Sequence, residues 1–307
     1  MLYVYTPDQP ERYLHLLQEA LPEHTIACWP QEVDAAAVMY AAVWAPPPGF
    51  FARFVNLRAV FVMGAGVDKL LPRDDVPEGV ALIRLTDAGM AQQMTEYCLY
   101  GLLHYQRQMD RYAQQQRACH WQPLETRLAR DIRVGILGLG EMGGRVARDL
   151  ARMGYRVSGW SRNPRRIESV YCLHGADGLR ALLTETDVLF CALPATPQTS
   201  HLLDATRLAL LPEGAALINA GRGTLIDENA LLARLDAGQL RFALLDVFAG
   251  EPLPPGHPFW THPRVLVTPH VAADTVPEEA VAQIAANLRA LASGQPPGGA
   301  VDRQRGY

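Results

Sequence analysis

Residues 132–143 read Ile-Arg-Val-Gly-Ile-Leu-Gly-Leu-Gly-Glu-Met-Gly, and no other stretch constrains the chain as tightly. A short apolar run, 134–137, enters Gly138-x-Gly140-x-x-Gly143, and residues 144–153 leave it with helical spacing. A strand, a glycine turn and a helix in that order predict the first half of a dinucleotide-binding βαβ unit. Gly138 permits a tight turn, Gly140 lets backbone approach a pyrophosphate, and Gly143 lets the helix pack on the strand. The unpaired N–H groups of the helix N-terminus, opened by Glu141 and Met142, then face the anion.

At 307 residues the chain is long for one core and suits two domains. Hydrophobic residues make up 49% and charged residues 20%, as in soluble globular proteins. A net charge of −4 offers no basic footprint, which argues against nucleic acid as a partner. No apolar run reaches the roughly 18 residues needed to span a bilayer, so no membrane association is expected. The start, Met-Leu-Tyr-Val-Tyr-Thr-Pro, reads as a strand without a basic leader, and no signal peptide is expected. Cys28, Cys98, Cys119, Cys172 and Cys191 are scattered without a CxxC pair. They read as small apolar residues in a reducing, cytoplasmic setting, with neither a disulfide framework nor a metal site.

Strand signals at 2–5, 41–44, 60–63 and 80–84, with helical spacing at 11–20, predict a small α/β domain first. Residues 90–118 read as one long helical stretch. A second series of short, dense apolar runs at 156–160, 188–191, 216–219, 243–247 and 265–268 predicts parallel strands covered on both faces. Helical periodicity returns at 278–292, and 293–307 reads as a solvated tail. The expected fold is α/β in two domains. One is a Rossmann-type doubly wound parallel sheet over 98–278, the other a smaller flavodoxin-like substrate domain over 1–97 plus 279–307.

The end of the second nucleotide-fold strand normally carries an acid for the ribose 2′-hydroxyl of NAD. Here Ser161 holds that position, and Arg162, Arg165 and Arg166 follow. Arginines at this spot suit a 2′-phosphate, which predicts NADPH with NADH weaker.

Four further segments sit at predicted strand C-ends: 193–199, beginning Leu193-Pro194; 219–227, with Asn219-Ala220-Gly-Arg222-Gly; 246–252, with Asp246 and Glu251; and 268–273, with His270. Each alone is bland, since an arginine between glycines or a histidine after proline is common in turns. Together they resemble the D-2-hydroxyacid dehydrogenase family over roughly residues 64–273. Trp44 with its following prolines, Trp160-Ser161-Arg162, Pro258-Phe259-Trp260 and residues 301–307 bring the chain nearest to the branch that reduces glyoxylate and hydroxypyruvate.

The resemblance implies a set of roles. His270 would give the proton to the keto oxygen, and Glu251 would hydrogen-bond its other ring nitrogen. Arg222 would grip the substrate carboxylate with two parallel bonds, which Lys cannot do. Amides of the turn Gly64-Ala65-Gly66 would bind the same carboxylate as a backbone nest. Leu193, Pro194 and Ala220 would line the cofactor. Asp246 would approach the nicotinamide carboxamide or order the loop carrying Glu251. Trp44, Met90 and Trp260 would wall a small pocket. The implied product is a small 2-hydroxy acid made by a homodimer joined through the cofactor domains near residues 97–117. Another 2-keto acid such as phenylpyruvate, or a nucleotide-sensing corepressor on the same fold, are the alternatives.

Overall fold

Short strands and helices alternate along the chain in the computed structural model, which describes residues 1–307. The first unit comprises 1–90 and 275–307, the second 91–274. The chain thus passes between units at the start of a helix and just before another, several residues earlier than the 97/98 and 278/279 boundaries expected.

In the first unit lie β1 (Leu2–Tyr5), α1 (Pro10–Ala20), β2 (Ile26–Cys28), β3 (Tyr40–Val43), β4 (Ala59–Val62) and β5 (Ala81–Arg84). All strand pairs are parallel, in the order β2-β1-β3-β4-β5, the flavodoxin-like arrangement. The β3–β4 link carries Phe50, Phe51 and Phe54, which pack with Tyr3, Val60 and Val62 to form the core. Arg73 fixes that link by donating to the carbonyls of Pro46 and Pro47 while its fork grips Asp75.

The second unit holds α2 (Met90–Gln106), α3 (Met109–Arg117), β6 (Arg133–Leu137), α4 (Glu141–Arg152), β7 (Arg156–Ser161), β8 (Tyr171–His174), α5 (Gly175–Thr184), β9 (Val188–Cys191), α6 (Ala205–Leu208), β10 (Ala215–Asn219), α7 (Glu228–Asp236), β11 (Leu240–Leu245) and β12 (Val265–Val267). α8 (Pro277–Ala292) returns to the first unit and packs on α1. The second sheet runs β8-β7-β6-β9-β10-β11-β12, all parallel. This is the doubly wound order with a seventh strand added at one edge. Alternation along its central strands feeds two cores. Ile136, Phe190, Ile218 and Leu244 face one side with Leu102, Val146 and Leu150. Leu137, Leu189, Leu217 and Leu245 face the other with Leu182, Leu231 and Leu235. Hence the uninterrupted apolar runs.

Two expectations need correction. The stretch 90–118 is two helices, because Gln108 takes a left-handed backbone (φ 57°) and breaks the ladder. The break is held from outside: Arg241 donates to the Tyr105 carbonyl and forms a fork with Asp110, and Gln108 Nε2 donates to the Glu125 carbonyl. Nor is the tail solvated throughout. Ala300 bridges Ile83, Val301 N–H donates to Leu82, and Arg303 donates to the carbonyls of Pro77 and Val80. It covers the β5 edge, and Arg305 pairs with Asp302 within the tail. No helix is long and apolar enough to cross a membrane.

Candidate active site

The fingerprint turn lies where the strand order of the second sheet reverses, between β6 and β9. Its three glycines serve three needs. Gly138 has φ 112°, a conformation closed to side-chain-bearing residues. A Cβ on Gly143 would stand 1.9 Å from the Gly138 carbonyl oxygen, so only glycine lets α4 press on the turn. A Cβ on Gly140 would meet nothing within 4 Å, which leaves open space beside the backbone at the head of α4. Gly140 caps that helix without a side-chain hydrogen bond, so its first N–H groups are free of a side-chain cap. Glu141 is exposed at the helix start, and Met142 packs against the core. A cradle of this kind suits a pyrophosphate.

At the end of β7, Ser161 Oγ donates to the Asn163 carbonyl at 2.8 Å. Arg162, Arg165 and Arg166 are all exposed on the following loop, and no carboxylate side chain stands at the Ser161 position. This set fits a ribose phosphate better than a free ribose diol.

The remaining segments interlock along the C-terminal ends of β9 to β12. Ala192 N–H donates to Leu137 and Ala220 N–H to Cys191, so each loop leaves its strand in register. Thr199 Oγ1 donates to the Pro194 carbonyl, folding 194–199 into a closed turn after Leu193. Asn219 clamps the next turn: Oδ1 accepts from Gly221 N–H and Nδ2 donates to the Arg222 carbonyl. Arg222 is half-buried there, and its Nη1 donates to the Gly221 carbonyl at 2.8 Å.

His270 and Glu251 come together. His270 Nδ1 lies 2.9 Å from Glu251 Oε2, and Glu251 Oε1 accepts from Phe248 N–H at 3.1 Å. The imidazole is about half exposed (48%), and its Nε2 has no partner in the chain. His270 itself adopts φ 58°, a left-handed conformation that costs a non-glycine residue about 1 kcal/mol or more.

Asp246 explains how that conformation is held. Only 1% exposed, its Oδ1 accepts from Thr268 Oγ1 (2.6 Å) and Val271 N–H (2.8 Å), and its Oδ2 from Ala272 N–H (2.9 Å). Its carbonyl accepts from His270 N–H. Asp246 therefore orders the His270 loop, where the sequence points to the Glu251 loop or the carboxamide. Tyr97, which the sequence does not mark, hydrogen-bonds to Thr268 at 2.6 Å, and burial pushes its phenol pKa up. An aromatic inside a long helix gives no sign of a partner so far away in sequence. Thr268 is legible only as the residue following a strand.

Trp260 lies in the same unit on the turn Pro258–Trp260, half-exposed, with its indole N–H donating to the Pro254 carbonyl. In the first unit the ring of Trp44 lies across Gly64, where a Cβ would meet it at 2.5 Å. Ala65 and Gly66 follow, partly exposed, and their N–H groups donate to no acceptor of the chain. Met90 is buried beside Thr275, whose hydroxyl also donates to the Met63 carbonyl. No group of three or more His, Cys, Asp or Glu side chains is placed to hold a metal ion.

The family model for the NAD-binding domain of D-isomer-specific 2-hydroxyacid dehydrogenases matches residues 99–272, more than half of the chain. A glyoxylate/hydroxypyruvate reductase A of Yersinia enterocolitica is 44% identical over 304 residues, covering 97% of both chains. One from Serratia proteamaculans is 44% identical over 302 residues, 97% of this chain and 96% of its own. Among solved structures, a D-isomer-specific 2-hydroxyacid dehydrogenase of Xanthobacter autotrophicus, in complex with NADPH and MES, superposes with a TM-score of 0.96. It is 43% identical and covers 100% of this chain and 99% of its own. The NADPH-dependent glyoxylate/hydroxypyruvate reductase of Sinorhizobium meliloti, with NADP and sulfate, gives 0.93 at 37% identity, covering 100% and 99%.

Proposed function

The chain belongs to the D-isomer-specific 2-hydroxyacid dehydrogenase family, and from that premise we propose that it reduces glyoxylate to glycolate and hydroxypyruvate to glycerate with NADPH. The observation that carries the chemistry is the His270–Glu251 pair, with Nδ1 engaged at 2.9 Å and Nε2 unengaged, on the sheet edge that also carries Arg222 and the glycine turn.

NADPH, when bound, would supply a hydride for the carbonyl carbon. His270 delivers its Nε2 proton to the carbonyl oxygen, completing the alcohol. Glu251 accepts from Nδ1 and so fixes the ring's orientation. Arg222 holds the substrate carboxylate with its planar fork and polarises the adjacent carbonyl. The amides of Ala65 and Gly66, with Gly64 leading into them, are a carboxylate contact in their own right. Within the second unit Trp260 is the aromatic that limits substrate size. The open backbone at Gly138, Gly140 and Gly143, with Glu141 and Met142, receives the pyrophosphate. Leu193, Pro194 and Ala220 line the nicotinamide half, Asp246 supports it through the His270 loop, and Ser161, Arg162 and Arg165 take the 2′-phosphate.

The same reading makes the protein a cytoplasmic homodimer. The five cysteines are all free, and α2, α3 and the loop after them leave Tyr100, Leu103, Met109 and Trp121 exposed for a second copy. The test of function is loss of NADPH absorbance with a panel of 2-keto acids. Turnover of glyoxylate and hydroxypyruvate ahead of phenylpyruvate is expected. Binding of NADPH without turnover of any keto acid would overturn the reading in favour of a nucleotide sensor.

A further inference from the structure

We infer that Glu228, paired with His257, is a positioning residue for the Glu251–His270 couple; the inference rests on the catalytic reading above. Glu228 is the first residue of α7. Its Oε1 accepts from Ala249 N–H at 3.2 Å, and its Oε2 lies 3.3 Å from His257 Nε2. His257 is itself anchored. Its Nδ1 accepts from Phe259 N–H at 3.3 Å, and its ring packs on Phe259 with centroids 4.7 Å apart. Phe259 is fully buried in the core beneath β11 and α7.

One oxygen of Glu228 is therefore tied through His257 to the core, and the other holds the backbone two residues before Glu251. That backbone has little else to fix it. Ala249, Gly250 and Glu251 are exposed, and a Cβ on Gly250 would meet nothing within 4 Å. Besides Glu228, the turn is fastened by Phe248 N–H on Glu251 and by the Glu251–His270 contact itself. Both of these run through the carboxylate whose position is at issue. The Glu228–His257 pair ties the turn at Ala249 to the core, beside the close packing of Phe248 on Gly223.

A carboxylate at a helix start is also favoured by the helix dipole, which is a sufficient structural reason for Glu228. The two roles differ in what they move. The charged groups on the elements that carry the couple are Arg222 on the loop after β10, Asp227, which caps α7 through Ala230 N–H, Asp246, which is committed to the Thr268–Ala272 backbone, and His257, which faces Glu228. None of these replaces Glu251 beside the imidazole when its turn loosens.

The experiment compares Glu228→Gln, which keeps an oxygen for Ala249 N–H, with Glu228→Ala, which keeps neither contact. NMR titration of the His270 ring in the ligand-free protein is the first readout. In Glu228→Ala the titration should differ measurably from that of the parent protein, because a wandering carboxylate no longer keeps its place beside the ring. The second readout is NADPH-dependent glyoxylate reduction: kcat should fall about tenfold with KM for NADPH unchanged. Glu228→Gln, whose amide nitrogen would face the His257 Nε2–H, should show part of each change, and it carries the test if the alanine variant does not fold. In a Glu251→Gln background Glu228→Ala should add nothing to either readout. An unmoved His270 titration, or a full further loss in the Glu251→Gln background, overturns the positioning role. If Glu251→Gln alone leaves the His270 titration and the pH profile unchanged, it is the couple itself that fails, and the positioning role falls with it.

Discussion

Replacing Asp246 by Asn tests how the His270 loop is held, because the exchange keeps the volume and changes only what one oxygen position offers. The carboxylate accepts three hydrogen bonds, two of them from the backbone of Val271 and Ala272. Asn has one acceptor oxygen. If that oxygen serves Thr268 and Val271, the amide nitrogen faces Ala272 N–H, donor against donor. One bond to a charged acceptor, about 1.5–3 kcal/mol, is lost, and a buried N–H is left unpaired at about 1–3 kcal/mol more. The site is 1% exposed, so water cannot compensate without loosening the loop. His270 sits in that loop at φ 58°, a conformation favoured by nothing in its own chemistry. A net penalty of about 3 kcal/mol would leave the aligned loop conformer the minor one and lower kcat/KM for glyoxylate by roughly a hundredfold. Steady-state kinetics with a thermal melt on the same sample measures both parts. Asp246→Asn turning over within about threefold of the parent protein would refute the argument that this carboxylate sustains the His270 backbone.

Three other outcomes follow from the same geometry. His270→Asn should lower kcat by about 10²–10⁴-fold, the usual worth of a general acid, while NADPH binding measured by fluorescence stays near normal. Arg222→Lys keeps the charge but loses the fork, so kcat/KM for the keto acid should drop although the protein folds; unchanged kinetics would make Arg222 a loop support only. Ser161→Asp with Arg162→Ala should erase a cofactor preference of roughly ten- to hundredfold, the value of one charge-assisted phosphate contact, and the parent preference should weaken as salt rises.

Much of this is legible in the sequence because glycine spacing and strand-end position are local signals. The fingerprint turn needs its glycines for reasons that operate within a few residues, and β9 falls on the apolar run 188–191. What escapes the sequence is long-range or short. β2 is buried but only three residues long, and β8 is a four-residue edge strand with partly exposed side chains, so neither stands out as an apolar run. The helices after β8 and β10 begin at Gly175 and Glu228 and are of ten and nine residues, too brief for periodicity to stand out. The break at Gln108 depends on Arg241, far along the chain, which no local pattern around residue 108 reports. From the sequence, Asp246 is a strand-end acid with more than one candidate duty. Its choice of the His270 loop depends on β12 lying beside β11, which is a property of strand order.

The Gly-Arg-Gly sequence around Arg222 then has a physical meaning beyond a flexible turn. Gly221 and Gly223 need no unusual backbone angles; they need absent side chains. A Cβ on Gly221 would stand 2.8 Å from the Leu193 carbonyl oxygen, and one on Gly223 would stand 1.8 Å from the Phe248 carbonyl carbon. The loop after β10 is pressed backbone to backbone between the loops after β9 and β11, its neighbours in the sheet. An arginine can occupy this edge only because both flanking residues let the adjoining chains close on it. The same closeness places Phe248 where its N–H can hold Glu251, whose other oxygen meets His270. Cofactor cradle, arginine and acid–base pair are thus not separate motifs that happen to coincide. They stand at the C-terminal ends of strands in one parallel sheet, packed at a spacing that glycine permits, and the chemistry at each end inherits its position from the backbone of the next.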